Sequence, residues 1–132
     1  CLFISHDLHV IRQISQNVGV MYLGSLVECG QTKDVLSDPW HPYTKELLRA
    51  MLPLDPKKAA RQKRLILKET RNHSQDTENG CPYAPRCRYA MECCHKEKPG
   101  NYRFGEREVR CFLYSEAHTK KRAKDYHMTS QI

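Results

Sequence analysis

The chain has 132 residues, enough for one modest domain, and its 39% hydrophobic content is that of a packed core rather than of a disordered polymer. No apolar run approaches the roughly 20 residues that span a bilayer and no segment has the pattern of a signal peptide, so the sequence predicts a cytoplasmic protein. The net charge of +7 admits nucleic acid or an anionic membrane but usually means solubility, and seven cysteines, an odd number, argue for metal binding or reduced thiols over a disulfide framework.

The opening run, Cys1-Leu2-Phe3-Ile4, reads as a buried strand that breaks at Ser5-His6-Asp7. In open α/β sheets, ligands bind beyond the carboxyl ends of strands, so these three polar residues are candidates for a reacting position. Their adjacency makes no catalytic triad, because neighbouring side chains on an extended strand point to opposite faces. Asp7 is a suitable N-cap for a helix in which Leu8, Ile11, Ile14 and Val18 recur at helical spacing. The first residue is Cys rather than Met and already belongs to an apparent strand, which predicts a fragment of a longer protein.

Asn17 to Gly30 holds two apolar runs broken at Gly24-Ser25 and reads as a hairpin. Gln31 to Ser37 predicts a short helix capped by Thr32 and ended by Asp38-Pro39. Gly24 to Thr32 is not a phosphate loop, because its glycines are one residue too far apart and Gln31 stands where lysine is needed. A second helix follows Pro42, with Tyr43, Leu47, Leu48 and Met51 on one apolar face, Trp40 as a packing anchor, and Pro53 as the stop.

Leu54 to Asn79 carries clustered Lys and Arg around Leu65-Ile66-Leu67 and reads as a basic linker with an isolated edge strand. The array Cys81, Cys87, Cys93, Cys94, with Cys111 at a distance, supplies enough sulfur for a tetrathiolate site if the chain loops back. Gathering thiolates is costly unless a cation neutralises them, so convergence implies a metal or a cluster. Spacing alone chooses neither zinc nor iron. Cys1 and Cys29 read as ordinary buried residues, His95 as an exposed polar neighbour, and the basic stretch beyond Tyr114 as a solvated tail.

Strand, polar turn, helix and hairpin in this order resemble the last part of an ABC transporter nucleotide-binding domain. Ser5-His6-Asp7-Leu8 matches the family's switch loop and Val20 to Gly30 its closing hairpin. His41-Pro42-Tyr43-Thr44 with Leu47-Leu48 resembles the signature segment of oligopeptide and dipeptide importer ATPases. Cys-Pro-Tyr-x-Pro-Arg-Cys from Cys81, with the later cysteines, resembles their C-terminal extension. The Pro-rich connection usual in relatives is replaced here by Glu69 to Asn79.

The resemblance implies an α/β fold, the C-terminal fragment of a P-loop NTPase followed by a small irregular cysteine-rich extension. It divides the chain into residues 1–52 of the nucleotide-binding domain, a linker at 53–79, the extension at 80–113 and a tail at 114–132. It implies that His6 contacts the γ-phosphate of ATP, Asp7 shapes the loop, and His41 and Tyr43 are structural. The phosphate loop, signature and magnesium-binding residues lie upstream, so the intact subunit hydrolyses ATP with Mg and this chain alone does not. Cys81, Cys87, Cys94 and Cys111 become ligands of a 4Fe-4S cluster, with Cys93 replacing Cys94 in a shifted register and zinc as the alternative. The implied partners are transmembrane permease subunits, a second ATP-binding subunit and, indirectly, an extracytoplasmic peptide-binding protein, at the cytoplasmic face of the membrane and without nucleic acid. The rival reading is a basic metal-binding module that interacts with nucleic acid, which leaves the opening segment and hairpin unexplained.

Overall fold

A computed structural model of the chain describes residues 1–51 and 79–116. Helix α1 (Leu8–Ile14) begins where expected, with the Asp7 carboxylate accepting from the His9 and Val10 amides at 2.9 and 3.4 Å. These bonds satisfy donors that a helix start leaves free. The helix stops before Val18, which lies instead in strand β1 (Asn17–Tyr22) and is buried with Val20 in strict alternation. Val18 fits either period, and the β-branched pair around Gly19 favours the strand.

Strand β2 (Ser25–Gln31) returns antiparallel to β1. The turn is Leu23-Gly24, one residue earlier than the break in the sequence suggests, with φ of 45° and 76°. Two successive positive φ values match the twist of the flanking strands, and Gly24 adopts its value without a Cβ penalty. Helix α2 (Thr32–Ser37) follows directly, but Thr32 is not its cap. Its amide donates to the Gln16 carbonyl at 2.9 Å and its hydroxyl lies 3.1 Å from Ser15 Oγ. A tertiary tie to the end of α1 takes the hydroxyl that a local cap would have used.

Helix α3 (Pro42–Met51) opens on Pro42, where the missing N–H is not needed. Tyr43 and Leu47 pack on a core of Val18, Val20, Val27 and Val35. Leu48, placed on the same face by the sequence, lines a separate groove with Leu8 and Leu36. Trp40 does anchor packing: Tyr114 stacks on it at 5.3 Å and 18°, and Phe104 meets it edge-on at 5.5 Å.

Within the extension, a 3-10 turn (Ala84–Arg86), helix α4 (Glu92–Lys96), strands β3 (Tyr102–Phe104) and β4 (Arg107–Val109) and a second 3-10 turn (Phe112–Tyr114) succeed one another. The three-residue strands are too short for an alternating pattern to show in sequence. β4 pairs with β2 through Glu28↔Val109 and Cys29↔Glu108, giving one antiparallel sheet in the order β1-β2-β4-β3. The described residues thus form a small α/β fold in which the extension completes the sheet begun by the hairpin.

Two expectations are corrected. Residues 1–5 form no strand, and Leu2 and Ile4 are each 88% exposed, because a strand needs a ladder partner and none pairs with this segment among the described residues. Cys1 is exposed with it, and Cys29 is only half-buried, since β4 covers β2 for just two paired positions. The linker with Leu65-Ile66-Leu67 up to residue 78, and the tail from residue 117, lie outside the described residues.

Glu28 joins the pieces. It is 1% exposed, and its carboxylate accepts from the Trp40 amide at 2.9 Å, the His41 amide at 2.9 Å and the Arg107 guanidinium at 2.7 Å. Arg107 lies 3.9 Å over the Trp40 ring and also donates to the Asp38 carbonyl. Removing one partner of such a pair strands the other charge in a dry site. Glu28→Ala is therefore expected to lower unfolding stability by about 3–5 kcal/mol, read by urea titration, while Glu28→Gln, which keeps acceptor shape on one oxygen, loses less.

Candidate functional site

Four cysteines from separate turns of the extension come to one place. Gly80 makes the first approach possible: a Cβ there would sit 2.7 Å from the Cys94 carbonyl oxygen. Its absence lets the Cys81 amide donate to that same carbonyl at 2.8 Å, holding Cys81 against α4. The 3-10 turn carries the chain around to Cys87, whose amide donates to Ala84 at 3.2 Å. β4 then returns the chain so that Cys111, at the head of the last turn, closes the group.

Cys81, Cys87, Cys94 and Cys111 line a single enclosed cavity, with His41 and Tyr83 on its wall and no carboxylate in its lining. Cys81, Cys94 and Cys111 are buried and Cys87 is half-buried. Cys93 packs nearby but is not part of the lining, and His95 is exposed. Burial pushes the Cys111 thiol up to about 12, against the pull of the Leu113 amide and with help from the Cys87, Cys81 and Cys94 sulfurs. Burial likewise raises Cys81, opposed by the Tyr83 and Ala84 amides. Cys87 is raised by burial, with Cys94 and Cys81 adding to it and the Tyr89 amide opposing. A cation entering this cavity must displace thiol protons, so its binding strengthens with pH.

Among the described residues no group of three or more His, Cys, Asp or Glu side chains is gathered as a single metal ion requires. One zinc with bonds of about 2.3 Å needs sulfurs within about 4 Å of one another. The four cysteines share one small cavity with a volume of about 10 Å³.

Sequence reasoning read His41 as structural packing and did not single out Tyr83, Glu46 or Glu28. His41 is 1% exposed, and its Nδ1 accepts from the Tyr43 amide at 3.1 Å. Burial lowers its pKa to about 4, with the Glu28 carboxylate opposing the shift. Tyr83, 3% exposed, donates its hydroxyl to the Glu46 carboxylate. Burial, then that hydrogen bond and charge, push its pKa up. No local pattern signals these partners, because each pair is joined across 13 to 37 positions of sequence.

The Ser5-His6-Asp7 segment lies just ahead of α1. Ser5 Oγ accepts from the Asp7 amide at 3.0 Å, Asp7 is committed to capping α1, and His6 between them is exposed. The loop is therefore shaped by its neighbours and leaves the imidazole outward.

Because His41 is neutral when folded, the unfolded chain binds one more proton between pH 6.5 and 4. Its contribution to stability is complete above pH 6.5 and is lost as pH falls towards 4, by up to about 3 kcal/mol. Urea titrations of the reduced, metal-free chain across this range are expected to show the slope, and His41→Gln to remove it.

A family model described as the oligopeptide/dipeptide transporter C-terminal region matches residues 27–94. The protein YkfD of Bacillus subtilis (strain 168), named for oligopeptide transport and ATP binding, is 36% identical over 124 residues, covering 93% of this chain and 38% of its own length. The dipeptide transport ATP-binding protein DppD of Caldanaerobacter subterraneus subsp. tengcongensis is 36% identical over 91% of this chain and 36% of its own length. DppF of Haemophilus influenzae, a dipeptide transport ATP-binding protein, is 42% identical over 74% of this chain and 29% of its own length. The chain thus spans between 29% and 38% of the length of these relatives, and the stretch common to the family model runs from the second hairpin strand through the His41-Pro42-Tyr43 segment to Cys94. With more than half of its residues inside that model, this chain belongs to the oligopeptide/dipeptide transporter C-terminal-region family.

Proposed function

We propose that this chain is the C-terminal part of the ATP-binding subunit of an ABC importer, which couples ATP hydrolysis to the uptake of oligopeptides or dipeptides. The observation that carries the reading is the similarity to peptide-transport ATP-binding proteins over 93% of the chain. In this reading His6 donates a ring hydrogen to the γ-phosphate oxygen and orients the attacking water, a role suited to an outward imidazole whose loop is already shaped by Ser5 and Asp7. The phosphate cradle and the magnesium ligands belong to upstream segments of the subunit, and ATP with Mg is held there. The subunit sits on the cytoplasmic face against permease subunits and pairs with a second ATP-binding subunit, and an extracytoplasmic binding protein delivers the peptide. No helix among the described residues is long and apolar enough to cross a membrane, which suits a peripheral role. The nucleic-acid alternative gains nothing from the family match.

The extension, in the same reading, holds a 4Fe-4S cluster through Cys81, Cys87, Cys94 and Cys111. Support comes from their shared cavity and from the absence of Cys93 in its lining. When bound, the cluster supplies a four-point cross-link and one-electron chemistry. The residues themselves contribute an oxygen-free donor set, apolar shielding by Met91 and Phe112, and a rigid joint to the hairpin through β4.

Two measurements test these assignments. The chain alone should hydrolyse no ATP above background with Mg, whereas the intact subunit should lose about a hundredfold or more of its turnover on His6→Ala; unchanged turnover would refute the assignment of His6. Anaerobic purification should yield iron and acid-labile sulfide in equal amounts, with Cys94→Ser losing both and Cys93→Ser keeping them. Zinc in place of iron would overturn the cluster while leaving the transporter assignment standing.

A further inference from the structure

We propose that the groove between α1, α2 and α3 is a docking site for an acidic amphipathic helix of a partner protein. The groove has a volume of about 470 Å³. Leu8 from α1, Leu36 from α2 and Leu48 from α3, with Pro39 between the last two helices, give it an apolar lining. Each leucine is only partly buried, so apolar area remains for a partner to cover. His9 and Arg12 on α1 and Lys45 and Arg49 on α3 line the same groove. An apolar centre among charged side chains is the anatomy of an interface rather than of a core.

The charges on this face are unbalanced. Asp38, the one carboxylate in the lining, accepts from Trp40 Nε1 at 3.2 Å and lies 4.0 Å from Arg107 Nη1, so its charge is already shared with that pair. A smaller adjoining groove has Lys45, Arg49 and Tyr89 in common with the first and adds Arg86 and Arg88. Its carboxylate, Glu46, accepts from the Tyr83 hydroxyl. Among the described residues, none of Arg12, Lys45, Arg49, Arg86 and Arg88 makes an ion pair. Five cations without counter-ions along adjoining grooves call for carboxylates from elsewhere.

Shape selects among anionic partners. A concave groove lined by leucine receives the apolar face of a helix, whose leucines recur at i, i+3, i+4 and i+7 while its carboxylates meet the basic side chains. A bilayer presents a broad surface that does not follow a recess of this size, and a nucleic acid needs stacking aromatics where the lining has Tyr89 alone. The inference uses neither ATP nor a metal and stands apart from the transporter reading.

A fluorescein-labelled synthetic helix of about 15 residues, leucine on one face and glutamate on the other, should bind saturably when titrated with the full 132-residue chain and followed by fluorescence anisotropy. Its counterpart with lysine in place of glutamate should bind about tenfold more weakly. The double substitution Arg12→Glu with Arg49→Glu, at two exposed positions outside both cores, should reverse that preference. Raising the ionic strength from about 0.1 to 1 M, which shortens the Debye length from about 10 to 3 Å, should weaken the acidic helix in the wild-type chain. Equal binding of the acidic and basic helices, or a preference that the double substitution leaves unchanged, would overturn the proposal. Binding of the chain to phosphatidylglycerol vesicles but not to the acidic helix would overturn it in favour of a lipid surface. Loss of helix binding in the intact subunit would overturn it too, because the subunit's own upstream segments would then fill the groove.

Discussion

A single buried carboxylate organises the described structure. Glu28 is taken out of water in the middle of β2 and must have every lone pair occupied by a donor, since an unmatched charge there costs several kcal/mol. The donors it finds come from two other parts of the chain: Arg107 in β4 and the successive amides of Trp40 and His41 ahead of α3. Satisfying that one group therefore sets the entry of α3, the register of β4 on β2, and the placement of Trp40 beneath the Arg107 guanidinium at 3.9 Å.

The same constraint explains why the hairpin and the cysteine extension do not behave as beads on a linker. Their hydrophobic clusters are separate, one built on Val18, Val20, Val27 and Val35, the other on Cys81, Tyr83, Ala84 and Cys94. Tyr22 and Tyr43 pack against both and meet each other with ring centroids 4.7 Å apart. Tyr83 completes the junction edge-on to Tyr22 at 5.1 Å. Close packing transmits displacement, so a change in the size of the thiol cavity is felt at the hairpin through aromatic contacts as well as through the sheet. That hairpin follows the Ser5-His6-Asp7 segment by only one short helix, α1. The extension is thereby built into the hairpin half of the fold rather than appended to it.

The cavity illustrates how burial and chemistry oppose each other. Thiols packed together in an apolar shell hold their protons, and each raises the others. The arrangement is poor as a set of free thiolates. His41, on the wall of the same cavity, is buried with one ring nitrogen spent on the Tyr43 amide.

Local chemistry was enough to read the Asp7 cap, the hairpin around Gly24 and the Pro42 helix start, because caps and turns are decided within a few residues. It was not enough for the opening segment, whose apolar residues cannot form a strand without a ladder partner, or for Val18, which satisfies helix and strand spacing alike. Thr32 left its predicted cap role for Ser15, and β3 and β4 were too short to show a period. Glu28 with Arg107, and Tyr83 with Glu46, were invisible for a deeper reason: each residue is unremarkable until folding removes water from it. Sequence alone determined which elements and which donor atoms this protein has; desolvation in the tertiary structure decided which partners those atoms must find.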